Sequence, residues 1–160
     1  MKLDELVKAI ANDFQPFFQQ GKTTLINCIS SDLPLINVDP LYLRRVYENL
    51  IFNALKYNRL GLQITLDAVV INQSNSKFKI KKSQLPHLLR CTVTDNGIGM
   101  TRQQCERLFD LYSCSPNKRQ SLSLGLGLYM CRQIITAHGG EIGVISNPGE
   151  GSTFWFTLPI

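Results

Sequence analysis

The sequence predicts an α/β domain with its helices packed on one face of a sheet, and three observations lead there. Leu3, Leu6, Val7, Ile10, Phe14, Phe17 and Phe18 recur at intervals of three and four, an apolar helical stripe. Leu89, Cys91 and Val93 alternate with Arg90, Thr92 and Thr94, a strand with one buried and one wetter face. Asn147-Pro148-Gly149-Glu150-Gly151 separates two apolar runs and is a strong hairpin turn.

The elements follow in order. The first helix should bend or end its regular part at Pro16, which lacks a backbone donor. Thr23 to Ile29 reads as a strand and Leu35 to Val38 as a short second one. Asp39-Pro40 opens a helix, with an N-cap acid and a proline at the first helical position, that runs to about Tyr57. Leu62 to Ile71, rich in Ile, Val and Thr, is a strand. Asn72 to Pro86 is a long polar connection, and Leu89 to Thr94 is the strand beyond it. Thr101 to Leu108 is a short helix, and Asp110 to Ser123 lacks periodicity and reads as a loop. Gly125 to His138 is a helix closed by Gly139-Gly140. Glu141 to Ser146 and Ser152 to Leu158 are the last strands.

The chain has 160 residues, enough for one domain with a real core, and residues 1–160 are read as a single unit. Net charge is +5, with much of the excess in Lys77, Lys79, Lys81 and Lys82, and no aromatic ladder accompanies it. A solvated basic surface explains this better than a nucleic-acid site. No apolar run approaches the roughly 18 residues that span a bilayer. Cys28, Cys91, Cys105, Cys114 and Cys131 are odd in number and widely spaced. With no Cys-x-x-Cys pair and only His87 and His138, neither a disulfide framework nor a zinc site is expected. A reducing, cytoplasmic setting is the expectation.

Three segments bear chemistry. Asn49, Asn53 and Tyr57 are spaced by four, with Lys56 near the same helix face, while Leu43, Val46, Leu50 and Ala54 point elsewhere. Side-chain amide oxygens there suit a hydrated Mg²⁺, a hard ion that keeps several waters. A plain exposed polar face is the competing reading of that pair. Asp95 ends a strand and is followed by Asn96-Gly97-Ile98-Gly99-Met100. A carboxylate there can accept from the exocyclic amine of adenine, and the glycines let backbone approach the base; a simple Asp-Asn-Gly turn is the alternative. Gly125-Leu126-Gly127-Leu128 opens a helix whose free N–H groups favour phosphate, with Lys118 and Arg119 in the preceding loop. A glycine-rich start needed only for packing would look the same. Neither a P-loop nor a dinucleotide fingerprint is present.

In this order the segments resemble the ATP-binding domain of bacterial sensor histidine kinases, and the resemblance covers essentially the whole chain. Glu48-Asn49-Leu50-Ile51-Phe52-Asn53-Ala54-Leu55-Lys56-Tyr57 is similar to that family's N box, and Asp95 to Gly99 to its first glycine box. Leu108-Phe109-Asp110-Leu111-Tyr112 is similar to its F box, and Gly125 to Leu128 to most of its second glycine box. Ala137-His138-Gly139-Gly140 and Pro148-Gly149-Glu150-Gly151-Ser152-Thr153-Phe154 are like its ending. Where the family usually has Gly-Thr-Gly-Leu-Gly-Leu, this chain has Ser123-Leu124-Gly125-Leu126-Gly127-Leu128 and so lacks the first glycine and the threonine.

The resemblance implies a Bergerat fold: a two-layer sandwich with a mixed sheet of about five strands and helices on one face. It implies ATP and Mg²⁺ as cofactors. Asn53 would hold the ion with Asn49 assisting, Lys56 would contact phosphate, and Tyr57 would pack near the nucleotide. Asp95 would read the adenine amine, with Gly97, Ile98 and Gly99 beside the base and Thr153 supporting Asp95 through a water. Residues 113–123, with Lys118 and Arg119, would form a lid.

Hydrolytic members of the superfamily place a water-activating glutamate where Asn49 stands, and Glu48 is rotated by about 100° from that position. The chain should therefore hold ATP and pass its γ-phosphoryl group to a histidine on a separate dimerisation domain of a longer, homodimeric parent. Relay to a response regulator would follow. Neither His87 nor His138 is suited to be that acceptor. The parent protein is free to be membrane-anchored, and contact with nucleic acid is not expected. An anti-sigma-type serine kinase and a degenerate ATP-sensing module are the alternatives.

Overall fold

The computed structural model describes residues 1–57, 61–72, 87–110 and 126–160, with Tyr57 and Leu126 described at the backbone only. The elements are α1 (Leu3–Asp13), α2 (Gln15–Gly21), β1 (Thr24–Asn27), α3 (Pro40–Tyr57), β2 (Gln63–Asn72), β3 (His87–Asp95), α4 (Arg102–Arg107), α5 (Leu126–Ala137), β4 (Ile142–Ser146) and β5 (Ser152–Pro159). The sheet has five strands in the order β1-β2-β3-β5-β4. β1 runs parallel to β2, and every other pairing is antiparallel, so the sheet is mixed as expected.

Strand alternation separates the two faces. Ile64, Leu66 and Ala68 of β2, Leu89, Cys91 and Val93 of β3, and Phe154, Phe156 and Leu158 of β5 are buried. They meet Val7 and Ile10 of α1, Leu43, Val46, Leu50 and Ile51 of α3, and Cys131 and Ile135 of α5 in one core. Truncating Leu50, which is fully buried, should cost about 2–5 kcal/mol. On the opposite, open face Arg90 lies 5.3 Å from the ring centre of Trp155. Trp155 in turn covers Gly143, where a Cβ would come within 2.5 Å of the indole.

Local signals set the helix boundaries. Pro16 falls at the start of α2, and Phe14 caps α1, so the apolar stripe continues through a break. Asp39 Oδ1 accepts from the Leu41 amide at 2.9 Å and caps α3. Thr101 and Gln104 form a reciprocal capping box at α4. Gly139 adopts φ +81°, and the amides of Gly139 and Gly140 donate to Thr136 and Ile135. That is a Schellman ending for α5.

One expected strand is absent. Leu35 to Val38 does not join the sheet; Ile36 instead exchanges two backbone hydrogen bonds with Met1, at 3.0 and 2.9 Å. Pro34 and Pro40 flank this stretch and remove ladder donors, so it lies against the start of α1. The lysines at 77, 79, 81 and 82 and the loop at 111–125 lie outside the described residues. Cys91 and Cys131 are buried and serve as small core residues, whereas Cys28 is exposed.

Candidate nucleotide-binding site

Topology brings the three chemistry-bearing segments to one end of the domain. Only five residues separate the end of α3 from the start of β2, and β2 begins opposite the end of β3, with Ile64 paired to Asp95. α5 returns into β4, whose last residue, Ser146, pairs with Ser152, itself the partner of Asp95. The end of α3, the end of β3, the first turn of α5 and the β4–β5 turn therefore converge.

On α3, Asn49 donates from Nδ2 to the Arg45 carbonyl at 2.8 Å. Its Oδ1 is thereby presented to the first turn of α5, where a Cβ on Gly127 would sit only 2.8 Å away. Glycine at 127 thus lets α5 approach the amide face of α3. Asn53, one turn on, is half-buried and Lys56 is exposed. Leu128 packs against the core from α5. A set of neutral, hard oxygen donors fits Mg²⁺ and not a soft metal. Among the described residues no group of three His, Cys, Asp or Glu side chains gathers as a metal site. Lys118, Arg119 and Gly125 lie outside the described residues, as do the side chains of Tyr57 and Leu126.

Asp95 is 5% exposed. Burial pushes its carboxyl above the usual carboxylate range, an effect partly offset by N–H groups donated from Gly97 and Ser152. The Gly97 amide reaches Asp95 Oδ1 at 2.9 Å, closing an Asx-type turn. Gly99 has φ +71°, and a Cβ there would lie 1.9 Å from the Asn147 carbonyl oxygen. Gly151 has φ +76°, and its Cβ would lie 2.1 Å from the Asp95 carbonyl oxygen. Only glycine allows either conformation without strain and either approach without collision. Ile98 is more than half exposed, and its carbonyl accepts from the Gly149 amide at 2.7 Å.

Thr153 is not beside Asp95. It pairs with Thr94, and the two hydroxyls lie 3.2 Å apart on the open face of the sheet. Alternation puts Ser152, not Thr153, on the Asp95 side. The signal was present in the sequence as parity: Phe154 is core, so Ser152 shares its face. Ser146 is a second residue that motif reasoning passed over.

Phe109 packs edge-on against Phe154 with ring centres 6.5 Å apart, which anchors the start of the Leu108–Tyr112 motif to the core. The two histidines lie apart from the site and have local partners. His87 Nδ1 is 2.6 Å from Asn72 Oδ1, while His138 bridges the Ile134 carbonyl and the Asp39 amide.

Residues 38–160 match the family described as histidine kinase-, DNA gyrase B- and HSP90-like ATPases. The chain is 33% identical over 158 residues to the adaptive-response sensory kinase SasA of Crocosphaera subtropica, covering 99% of this chain and 38% of that protein. Its fold superposes on full-length ShkA in complex with AMPPNP with a TM-score of 0.79 at 25% identity, over 99% of this chain and 30% of that one. It also superposes on the histidine kinase ThkA in complex with the response regulator TrrA, with a TM-score of 0.73 at 20% identity, over 99% of this chain and 40% of that one. The chain thus spans well under half the length of these kinases. With the acid, glycines and helix amides placed as above, it belongs to the family of histidine kinase-, DNA gyrase B- and HSP90-like ATPases.

Proposed function

We propose that this chain is the ATP-binding catalytic module of a sensor histidine kinase, which donates the γ-phosphoryl group to a histidine on a separate dimerisation domain. The observation that carries this reading is the pairing of a buried Asp95 with an Asn49 amide that faces the first turn of α5. Asp95 would accept from the adenine amine, with Gly97, Ile98 and Gly99 against the base. Ser152, on the same face as Asp95, would support that carboxylate in place of Thr153. Asn53 and Asn49 would hold Mg²⁺, and Lys56, Lys118 and Arg119 would meet phosphate beside Gly125, Leu126, Gly127 and Leu128. The ion would neutralise charge developing on the phosphoryl oxygens.

Asn49 also favours a kinase over a hydrolase. An amide cannot take a proton from water, so general-base assistance worth roughly 10²–10⁴-fold is missing. Glu48 does not replace it. Its Oε1 accepts from Arg44 Nε at 2.6 Å, and Arg44 also binds Asp13 of α1, so Glu48 is committed to the α1 side of α3. With no group to activate water, ATP is kept for another acceptor. A homodimeric parent, a cytoplasmic setting and relay to a response regulator complete the proposal. The complex of ThkA with TrrA is the precedent among structures of similar fold. Among the described residues no helix is long and apolar enough to cross a membrane.

The test is calorimetric titration with ATP, with and without Mg²⁺, followed by addition of a helical domain bearing an acceptor histidine. Mg²⁺-dependent binding, very slow hydrolysis and transfer only when that domain is supplied are expected. Brisk ATP turnover by the chain alone would place it with the hydrolases.

A further inference from the structure

Ser146, the last residue of β4, joins three neighbours through one hydroxyl. Its Oγ lies 2.8 Å from the Met100 amide, 2.8 Å from the Gly151 carbonyl and 2.8 Å from Ser152 Oγ. A serine hydroxyl has one proton to give and two lone pairs with which to accept. The Met100 N–H can only donate, so it uses one lone pair. The Gly151 carbonyl can only accept, so it takes the Ser146 proton. The Ser152 contact then has one solution: Ser152 donates to Ser146. If Ser146 gave its proton to Ser152 instead, the Ser146 and Gly151 oxygens would face each other at 2.8 Å with no hydrogen between them.

This arrangement reaches the base corner through Ser152. That residue is 7% exposed and is the register partner of Asp95 on the same sheet face. With its proton directed to Ser146, Ser152 Oγ can only accept. Asp95, as a carboxylate, can only accept as well, and it already takes the Gly97 amide. We propose that Ser146 is a positioning residue that fixes the polarity of this corner, so that the pocket offers acceptors and selects a purine with a 6-amino group over a 6-oxo purine. The inference rests on the nucleotide reading above and deepens it. A 6-amino group brings donors to these acceptors. A 6-oxo group brings a carbonyl oxygen toward them, and Ser152, its proton committed to Ser146, cannot turn to meet it.

Ser146→Ala frees the Ser152 proton to turn into the pocket, where it could serve a 6-oxo group. The experiment compares the affinities of ATP and inosine triphosphate for the full chain, its Ser146→Ala variant and its Ser146→Thr variant. The unmodified chain should prefer ATP. The preference should narrow by about tenfold in Ser146→Ala, the worth of one hydrogen bond, and be retained in Ser146→Thr, which keeps the hydroxyl. A merely structural role would weaken both nucleotides equally and leave their ratio unchanged, and that result would overturn the inference while leaving ATP binding intact. Failure of the unmodified chain to bind either nucleotide would overturn the nucleotide reading itself. Should Ser146→Ala not fold, Ser146→Cys, close in shape and weak as a donor, serves for the same ratio.

Discussion

The end of β3 and the polar stripe of α3 reach the same pocket by different construction. Around Asp95 the carboxylate is buried, and the loop beyond it is clamped by the β4–β5 turn through the Gly149, Ser146 and Gly151 contacts. Along α3, Asn49 and Asn53 are half-buried and Lys56 is exposed, on a helix held by its other face through Leu43, Val46, Leu50 and Ala54. At the first corner the fold and the recognition share atoms. On the helix they are separable, because the side chains that face the pocket are not those that pack.

The sharpest way to break that contrast is at the glycines of the clamped corner. Gly99→Ala and Gly151→Ala each place a Cβ on a backbone oxygen at a positive φ, so each should cost about 3 kcal/mol or more in urea unfolding. A loss under about 1 kcal/mol would mean that the corner is not rigid.

Next comes Asp95→Asn. It should lower ATP affinity about 10- to 100-fold in calorimetry, the worth of a charge-assisted hydrogen bond. Its effect on the free chain should run the other way. Burial raises the folded-state pKa of this acid above its unfolded value, so the associated stability is present below the usual carboxylate range and is lost as pH rises through the folded pKa. The amide has no such loss. The variant should therefore gain urea resistance relative to the parent as pH rises from below the usual carboxylate range to above it. Equal pH dependence in the two proteins would separate Asp95 from the titration.

On the helix, Asn53→Ala should weaken Mg²⁺-dependent ATP binding by about tenfold while sparing adenosine binding and the melting temperature. Equal weakening of adenosine would merge the two regions into one. The smallest expected effect is that of Glu48→Gln, which should leave ATP turnover unchanged and alter stability by under about 1 kcal/mol. A marked fall in turnover would show that Glu48 leaves Arg44 to act on water.

Much of this was legible in the sequence because it depends on period and punctuation. The stripe of α1, the Asp39-Pro40 start of α3, the alternation of β3 and the Gly139-Gly140 end of α5 are local signals, and the structure contains each one. The order of the motifs was enough to indicate the fold. What sequence reading missed depends on non-local pairing. Leu35 to Val38 has strand-like composition, yet its partner is Met1 and not the sheet. Thr153 and Ser152 differ by one position; parity with Phe154 puts Ser152 on the core face, but its pairing with Asp95 on another strand shows only in the register. The role of Ser146 rests on distances to three separate segments, and no spacing rule encodes it. The rotation of Glu48 was foreseeable from helix geometry, but its capture by Arg44 and the link to Asp13 on α1 was not.

The stacking of Trp155 between Arg90 and Gly143 has an optical consequence. It is the chain's single tryptophan, and it lies on the open face of the sheet, away from the core side that holds Asp95. Its emission is therefore a built-in gauge of sheet integrity, with a nearby guanidinium whose departure on unfolding alters the indole's surroundings. Because Trp155 is only three residues from Ser152 on β5, a spectral change without unfolding would report strain transmitted along that strand when the pocket fills.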